Sequence, residues 1–299
     1  MTLPTSAQLA SAIQQALAAY PDVAALDFSC LRATGMVVTE SPPGSAVLST
    51  AILDACFPRA SPSQDYFHYT TFSAFAGILA ESECRLYWLK KRLHEHEYAP
   101  FCDAHGLDGY TTPDPDTGAV LLDDLCRDLF YLSVTVDPEN RTLWHAFSEG
   151  GSGVRIKLRL TPTLERSQLR HIRYLNTSKK TIIRIIQDAV TDRFGLRFVL
   201  GGPSRAPAFS LPMFLEDENE TRLLVKRFSM PPGEFNPWSS VRSEGAHQFL
   251  PLPICRDNDF CRVDVCSVAV GDPHNAERAR QLLDRSPWCQ TVPVEMANF

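Results

Sequence analysis

The sequence predicts an α+β fold, a mixed and mostly antiparallel sheet core with an N-terminal helical appendage, and three observations carry that prediction. After residue 60, strand-like segments outnumber long helices without regular βαβ alternation. Residues 129–136, LFYLSVTV, alternate Phe130, Leu132, Val134 and Val136 with Tyr131, Ser133 and Thr135, so one face is core and the other can be a site. The breakers SPPG (41–44) and PRASPSQ (58–64) separate a front segment that reads as helix. The chain therefore divides into a helical appendage over residues 1–60 and an α+β domain over residues 61–299.

Along the chain, Ser6–Tyr20 places Leu9, Ile13 and Leu17 at helical spacing behind a Ser cap candidate, and a second helix is predicted over Ala46–Phe57. From Tyr66 the pattern reads strand YFHYT, helix FSAFAGILAES and strand CRLYWL. His94 and His96 stand two apart, a ligand spacing on a strand, but their charged context and the lack of a third ligand read as a surface helix. GYTTPDPDTG (109–118) is a polar loop. After RTLWHAF, the GGSG at 150–153 lacks the GxGxxG order of a phosphate loop and reads as a hairpin turn. VRIKLRL and a segment around RHIRYL are strands, followed by a helix over Ser178–Phe194 that stops at Gly195. Its core stripe is Ile182, Ile183, Ile185 and Ile186, and Lys179, Lys180, Arg184, Arg193 and Arg197 form a solvated basic face. GGPSRAP and MPPGEFNPW are irregular, HQFLPL and CRVDVCSVAV are strands, and NAERARQLLDR is a helix.

The 299 residues, 44% hydrophobic and 21% charged, are an ordinary globular composition. A net charge of −6 argues against wrapping a nucleic-acid backbone through the overall field. Nine Cys, with no CxxC pair, fit reduced thiols in a cytoplasmic protein. No secretory signal is expected, and no stretch approaches the roughly 18 apolar residues of a membrane span. No G-x-S-x-G elbow, Walker sequence or HExxH occurs.

Residues 214–224, FLEDENETRLL, hold the strongest local signal. As a strand, this segment stands Glu218, Glu220 and Arg222 side by side on one face, either as a solvated edge with an internal ion pair or as part of a site. His68 in FHYTTF, Ser133 with Thr135, and Glu218 with Glu220 make three strands that carry polar groups.

The order of these motifs resembles a widespread bacterial family known only as domain of unknown function 2971. The matching elements are His68-Tyr69-Thr70, Ser133-Val134-Thr135, Trp144 with Phe147, Gly153 with Ile156, and Glu218-Asn219-Glu220-Thr221-Arg222, with VAVGDPHNAE resembling the closing strand, Gly turn and helix. The match runs over about residues 66–284 as short islands. The chain departs from the family in having Phe214-Leu215 where a Lys is frequent and S-V-T for S-F-S. That motif order is in turn similar to ADP-ribosyltransferases. The resemblance implies an ADP-ribosyltransferase-like sheet and a mono-ADP-ribosyltransferase-like activity with NAD as substrate, in a toxin, effector or phage-defence component. Glu220 would stabilise the cationic ribose and Glu218 would serve the acceptor, a protein or nucleic acid. His68, Tyr69, Thr70, Ser133, Thr135, Trp144 and Arg222 would contact NAD, and no metal is required. His68, Ser133 and Glu220 are expected to line one pocket. The alternatives are a catalytically silent regulatory or interaction protein of the same fold and a nucleic-acid-directed enzyme using the basic helix.

Overall fold

The computed structural model describes residues 2–43, 45–89, 98–107, 111–121, 123, 126–163, 167–176, 179–201, 205–227, 241–245, 247–258 and 260–297. The described chain is α+β with mostly antiparallel pairing, and none of its helices is long and apolar enough to cross a membrane. It forms two compact units, each assembled from three separate segments. Residues 1–58 are one segment of the first unit, together with 92–126 and 173–213. The second unit holds 59–91, 127–172 and 214–299.

In the first unit, Thr5 rather than Ser6 caps the helix Ser6–Ala16: its hydroxyl accepts from Gln8 N, and the Gln8 side chain returns to Thr5 N. Leu9, Ala12 and Ile13 are buried, and this helix packs against Ile182–Phe194, whose Ile182, Ile183, Ile186 and Val190 are also buried. That second helix starts later than residue 178 because Thr181 caps it, and it ends at Gly195 at φ 67. Lys180 and Arg184 on its polar side both pair with Asp188 at 2.8 and 2.7 Å. The front segment is not wholly helical. Leu31–Thr34 and Val37–Glu40 form an antiparallel hairpin, turned by Gly35-Met36 with Gly35 at φ 57, and Arg197–Phe198 adds in parallel. Glu40 is buried and accepts from Leu48 N and Ser49 N at 2.9 and 2.7 Å, so a carboxylate from a strand caps the helix Val47–Cys56. RHIRYL is two strands, not one: Ser167–His171 belongs to the second unit, and Arg173–Leu175 pairs in parallel with Ser210–Pro212 in the first.

The second unit carries the resemblance motifs, and its elements are labelled here in chain order. They are β1 (Asp65–Thr70), α1 (Phe72–Glu81), β2 (Glu83–Trp88), β3 (Leu129–Thr135), α2 (Arg141–Phe147), β4 (Val154–Pro162) and β5 (Ser167–His171). Next come β6 (Glu220–Lys226), β7 (Arg242–Glu244), β8 (His247–Pro253), β9 (Cys261–Val270), α3 (Pro273–Arg285) and β10 (Val294–Met296). The ten strands run β7-β8-β2-β3-β1-β4-β9-β10, and β6 lies between β3 and β5. All pairs are antiparallel except β9 with β10. One sheet face rests on a continuous apolar core that includes Tyr66, Leu79, Phe130, Leu132, Val134 and Leu223. A second, smaller cluster of Phe67, Tyr69, Leu143 and Trp144 lies on the other face, under α2.

GGSG is not a hairpin turn. Glu149–Gly151 is a 3-10 turn joining α2 to β4, where Gly150 and Gly151 take φ of 68 and 103. A Cβ on Gly153 would stand 2.5 Å from the Thr70 carbonyl oxygen, so glycine is what lets this turn close on the end of β1. His94, His96 and the segment 230–238 lie outside the described residues.

Candidate active site

Strand β3 organises the site because its two edges are used differently. Strand β6 pairs with it from Leu129 to Thr135 and so fills one edge completely. Strands β2 and β1 must share the other edge: β2 pairs at Phe130 and Tyr131, β1 only at Thr135. Between those points the sheet forks, and a cavity of about 270 Å³ opens there. His68 and Thr70 from β1, Arg85 and Tyr87 from β2, Leu132 from β3 and Ser73 from α1 line it.

Splitting the strands leaves backbone groups of β3 without a strand partner, and His68 supplies one. Its Nδ1–H donates to the Ser133 carbonyl oxygen at 3.0 Å. A carbonyl can only accept, so this bond fixes the tautomer: Nδ1 carries the proton and Nε2 keeps a lone pair. Burial pushes the His68 imidazole below its ordinary value, and the bond to the Ser133 carbonyl opposes part of that shift. His68 is therefore a neutral ring with an acceptor nitrogen in a cavity that also offers an arginine. Arg85 in turn pairs with Glu244 at the cavity wall.

On the far edge of β3, the Ser133 hydroxyl donates to Glu220 Oε1. Arg222 Nε donates to the same oxygen at 2.7 Å, and Nη2 donates to Oε2 at 3.2 Å. Glu220 is 6% exposed and Arg222 fully buried, so this is an internal ion pair on a strand with neighbours on both sides, not a solvated edge. Cross-strand partners share a face. Glu220 and Arg222 face the same way as their partners Thr135 and Ser133, and Phe67 shares that side through Thr135. His68, one residue on, faces the opposite way with Leu132 and Val134. The side chains of His68, Ser133 and Glu220 thus do not line one pocket; they are joined through the backbone and hydroxyl of Ser133.

The acidic segment is not one strand. Met213–Glu218 is a 3-10 helix, Asn219 takes φ 44, and β6 begins at Glu220. The left-handed residue turns the chain, so Glu218 does not stand beside Glu220 and Arg222; it is half-buried at the helix end. Other predicted contact residues serve the local frame. The Thr135 hydroxyl donates to the Asn219 carbonyl at 2.9 Å, holding that turn. Tyr69 OH donates to the Asp137 carbonyl and accepts from Asn140 N, at 3.0 and 3.2 Å. Trp144 is 3% exposed and meets Tyr69 edge to face with centroids 5.2 Å apart. Thr70 alone joins His68 in the cavity.

Sequence reasoning missed four participants. Tyr131 lies under the Arg222 guanidinium, 5.0 Å from ring centroid to Cζ. Arg170, the β5 partner of Arg222, is likewise buried and donates to Gln168. Alternation in LFYLSVTV already put Tyr131 beside Ser133, whereas nothing in RHIRYL marked Arg170 as internal. Arg85 and Glu244 are 159 positions apart, too far for any spacing rule to join. No family model matches the chain, and a comparison with curated proteins returns no match.

Proposed function

We propose that this chain is an NAD-consuming mono-ADP-ribosyltransferase-like protein, on a sheet of the ADP-ribosyltransferase type and in the domain of unknown function 2971 family that its motifs resemble. One observation carries the reading: His68, Ser133, Glu220 and Arg222, dispersed over more than 150 positions, form one hydrogen-bonded line across the neighbouring strands β1, β3 and β6 at a fork in the sheet. In the reaction, the bond from ribose C1′ to the nicotinamide nitrogen breaks and its electron pair leaves with nicotinamide. The oxocarbenium-like C1′ then takes an electron pair from the acceptor, which loses its proton. The ribose would lie in the fork, with His68 Nε2 accepting from one of its hydroxyls. Glu220, one strand spacing of about 5 Å behind the fork edge and on the opposite face of the sheet, would act on the ribose through its field across β3 and not by contact. Because Ser133 and Arg222 already fix that carboxylate, little reorganisation is needed as the cation forms. Glu218, outside the line, would serve the acceptor.

The expected outcome is that wild-type protein, given NAD and cell extract as a source of acceptors, releases nicotinamide and transfers label. Glu220→Gln should lower both by about 10²-fold, whereas Glu218→Gln should lower transfer and spare hydrolysis. Wild type that neither binds nor cleaves NAD overturns the proposal. A second reading, a catalytically silent interaction protein, is favoured by the saturation of Glu220, whose two oxygens are both occupied by Arg222. It predicts an unchanged background for every variant.

A further inference from the structure

We propose that the cleft between α1 and α3 binds a diphosphate group, that of a nucleoside diphosphate or of a diphosphate-bridged dinucleotide. This deepens the NAD reading, on which the choice of ligand rests. The cleft has a volume of about 550 Å³, within the range of small-molecule sites. It is lined by Phe72 and Ser73 at the start of α1 and by Asn275, Arg278, Gln281 and Arg285 along α3. Ser73 also lines the fork cavity, so the two spaces adjoin.

The formal charges of the cleft lining balance, two carboxylates against two guanidiniums, and it is the way they are paired that leaves the arginines open to an anion. Both carboxylates are committed to backbone groups: Glu149 accepts from Phe72 N at 3.3 Å and Asp272 from His274 N at 2.9 Å. Neither guanidinium forms an ion pair with them among the described residues. Arg278 donates to the Asn275 side-chain oxygen at 3.0 Å and lies 4.6 Å from the Phe72 ring centroid, a pose that holds it over the cleft. Arg285 has no hydrogen-bond or ion-pair partner among the described residues. Arg280, on the same helix but outside the cleft, pairs with Asp284 at 2.7 Å, so α3 does neutralise an arginine where no ligand space exists. Arg278 and Arg285 are seven residues apart, two turns or about 10 Å along one helix face, and their long side chains can converge on two linked phosphates. A dinucleotide would then place its diphosphate here and a ribose in the adjoining fork beside His68.

Calorimetric titration of the full chain with ADP tests this, with adenosine as the phosphate-free control. Wild type should bind ADP with an affinity that falls as salt rises. The exposed double variant Arg278→Gln/Arg285→Gln should bind ADP at least 10-fold more weakly and bind adenosine as wild type does. Equal ADP affinity in both proteins, or no ADP binding by wild type up to millimolar concentration, overturns the inference. The NAD assay separates it from the catalytic reading. ADP binding lost in the double variant while wild type leaves NAD uncleaved sustains the cleft and sinks the transferase. NAD cleaved with unchanged KM in the double variant sustains the transferase and sinks the cleft.

Discussion

Glu220 and Arg222 bring opposite charges into a place that water hardly reaches, and that decides how each substitution should behave. Removing one partner leaves the other charged and buried without the counter-ion it has here, which costs about 3–5 kcal/mol, whereas an exposed pair would be worth at most about 1 kcal/mol. Glu220→Gln should therefore shift the urea midpoint strongly, and Glu220→Leu/Arg222→Leu should be milder than either single change, as a double-mutant cycle would measure. His68 offers a second case. His68→Asn can keep a donor to the Ser133 carbonyl, while His68→Phe leaves that oxygen unsatisfied in the fork. The Phe variant should be the less stable of the two by about 1–3 kcal/mol in denaturant titration.

At the scale of elements, alternation served where pairing was regular and failed where one residue changed the backbone. LFYLSVTV became β3 with the predicted faces, because an apolar core on one side enforces period two. FLEDENETRLL misled because its alternating glutamates imitate a strand through Asn219, whose φ of 44 ends a 3-10 helix instead. Asparagine tolerates that conformation, and a β-branched residue does not. Asn219→Val should cost about 1–2 kcal/mol, Asn219→Gly close to nothing, with the loss read from thermal melts. The fork could not be foreseen at all: it depends on β1 and β2 sharing one edge of β3, a long-range pairing choice that no local pattern encodes. The candidate residues were visible as polar decorations of strands, but which sheet face each one takes followed only from the register.

Over the whole molecule, imidazoles whose pKa values burial lowers set the response to mild acid. His105 is 1% exposed, its Nδ1 meets the Thr181 hydroxyl at 2.6 Å, and its Nε2 is buried without a partner among the described residues. Burial, with a smaller push from Arg173, lowers its pKa to about 3, and burial also lowers those of His68 and His171. In each case the unfolded chain binds the proton more readily. Stability from these groups is thus fully present above their ordinary value near 6.5 and is lost as pH falls below it. His105 alone should contribute a loss of about 2 kcal/mol by pH 5. Urea midpoints measured from pH 7.5 to 5 should fall, and should fall less in His105→Gln.

The interleaving of the two units has a consequence for synthesis on the ribosome. When Met213 emerges, all three segments of the first unit exist, but the second unit still lacks 214–299. Strands β3 and β5 are by then complete, yet the strand that joins them, β6, has not been made. Their facing edges must wait, open to other partners, until Glu220 and Arg222 arrive to fill the gap. A nascent chain arrested after residue 213 should therefore be cleaved by protease within 127–172 far faster than the full 299-residue chain, and the synthesis of 214–226 becomes the interval in which these strands are most exposed to mispairing.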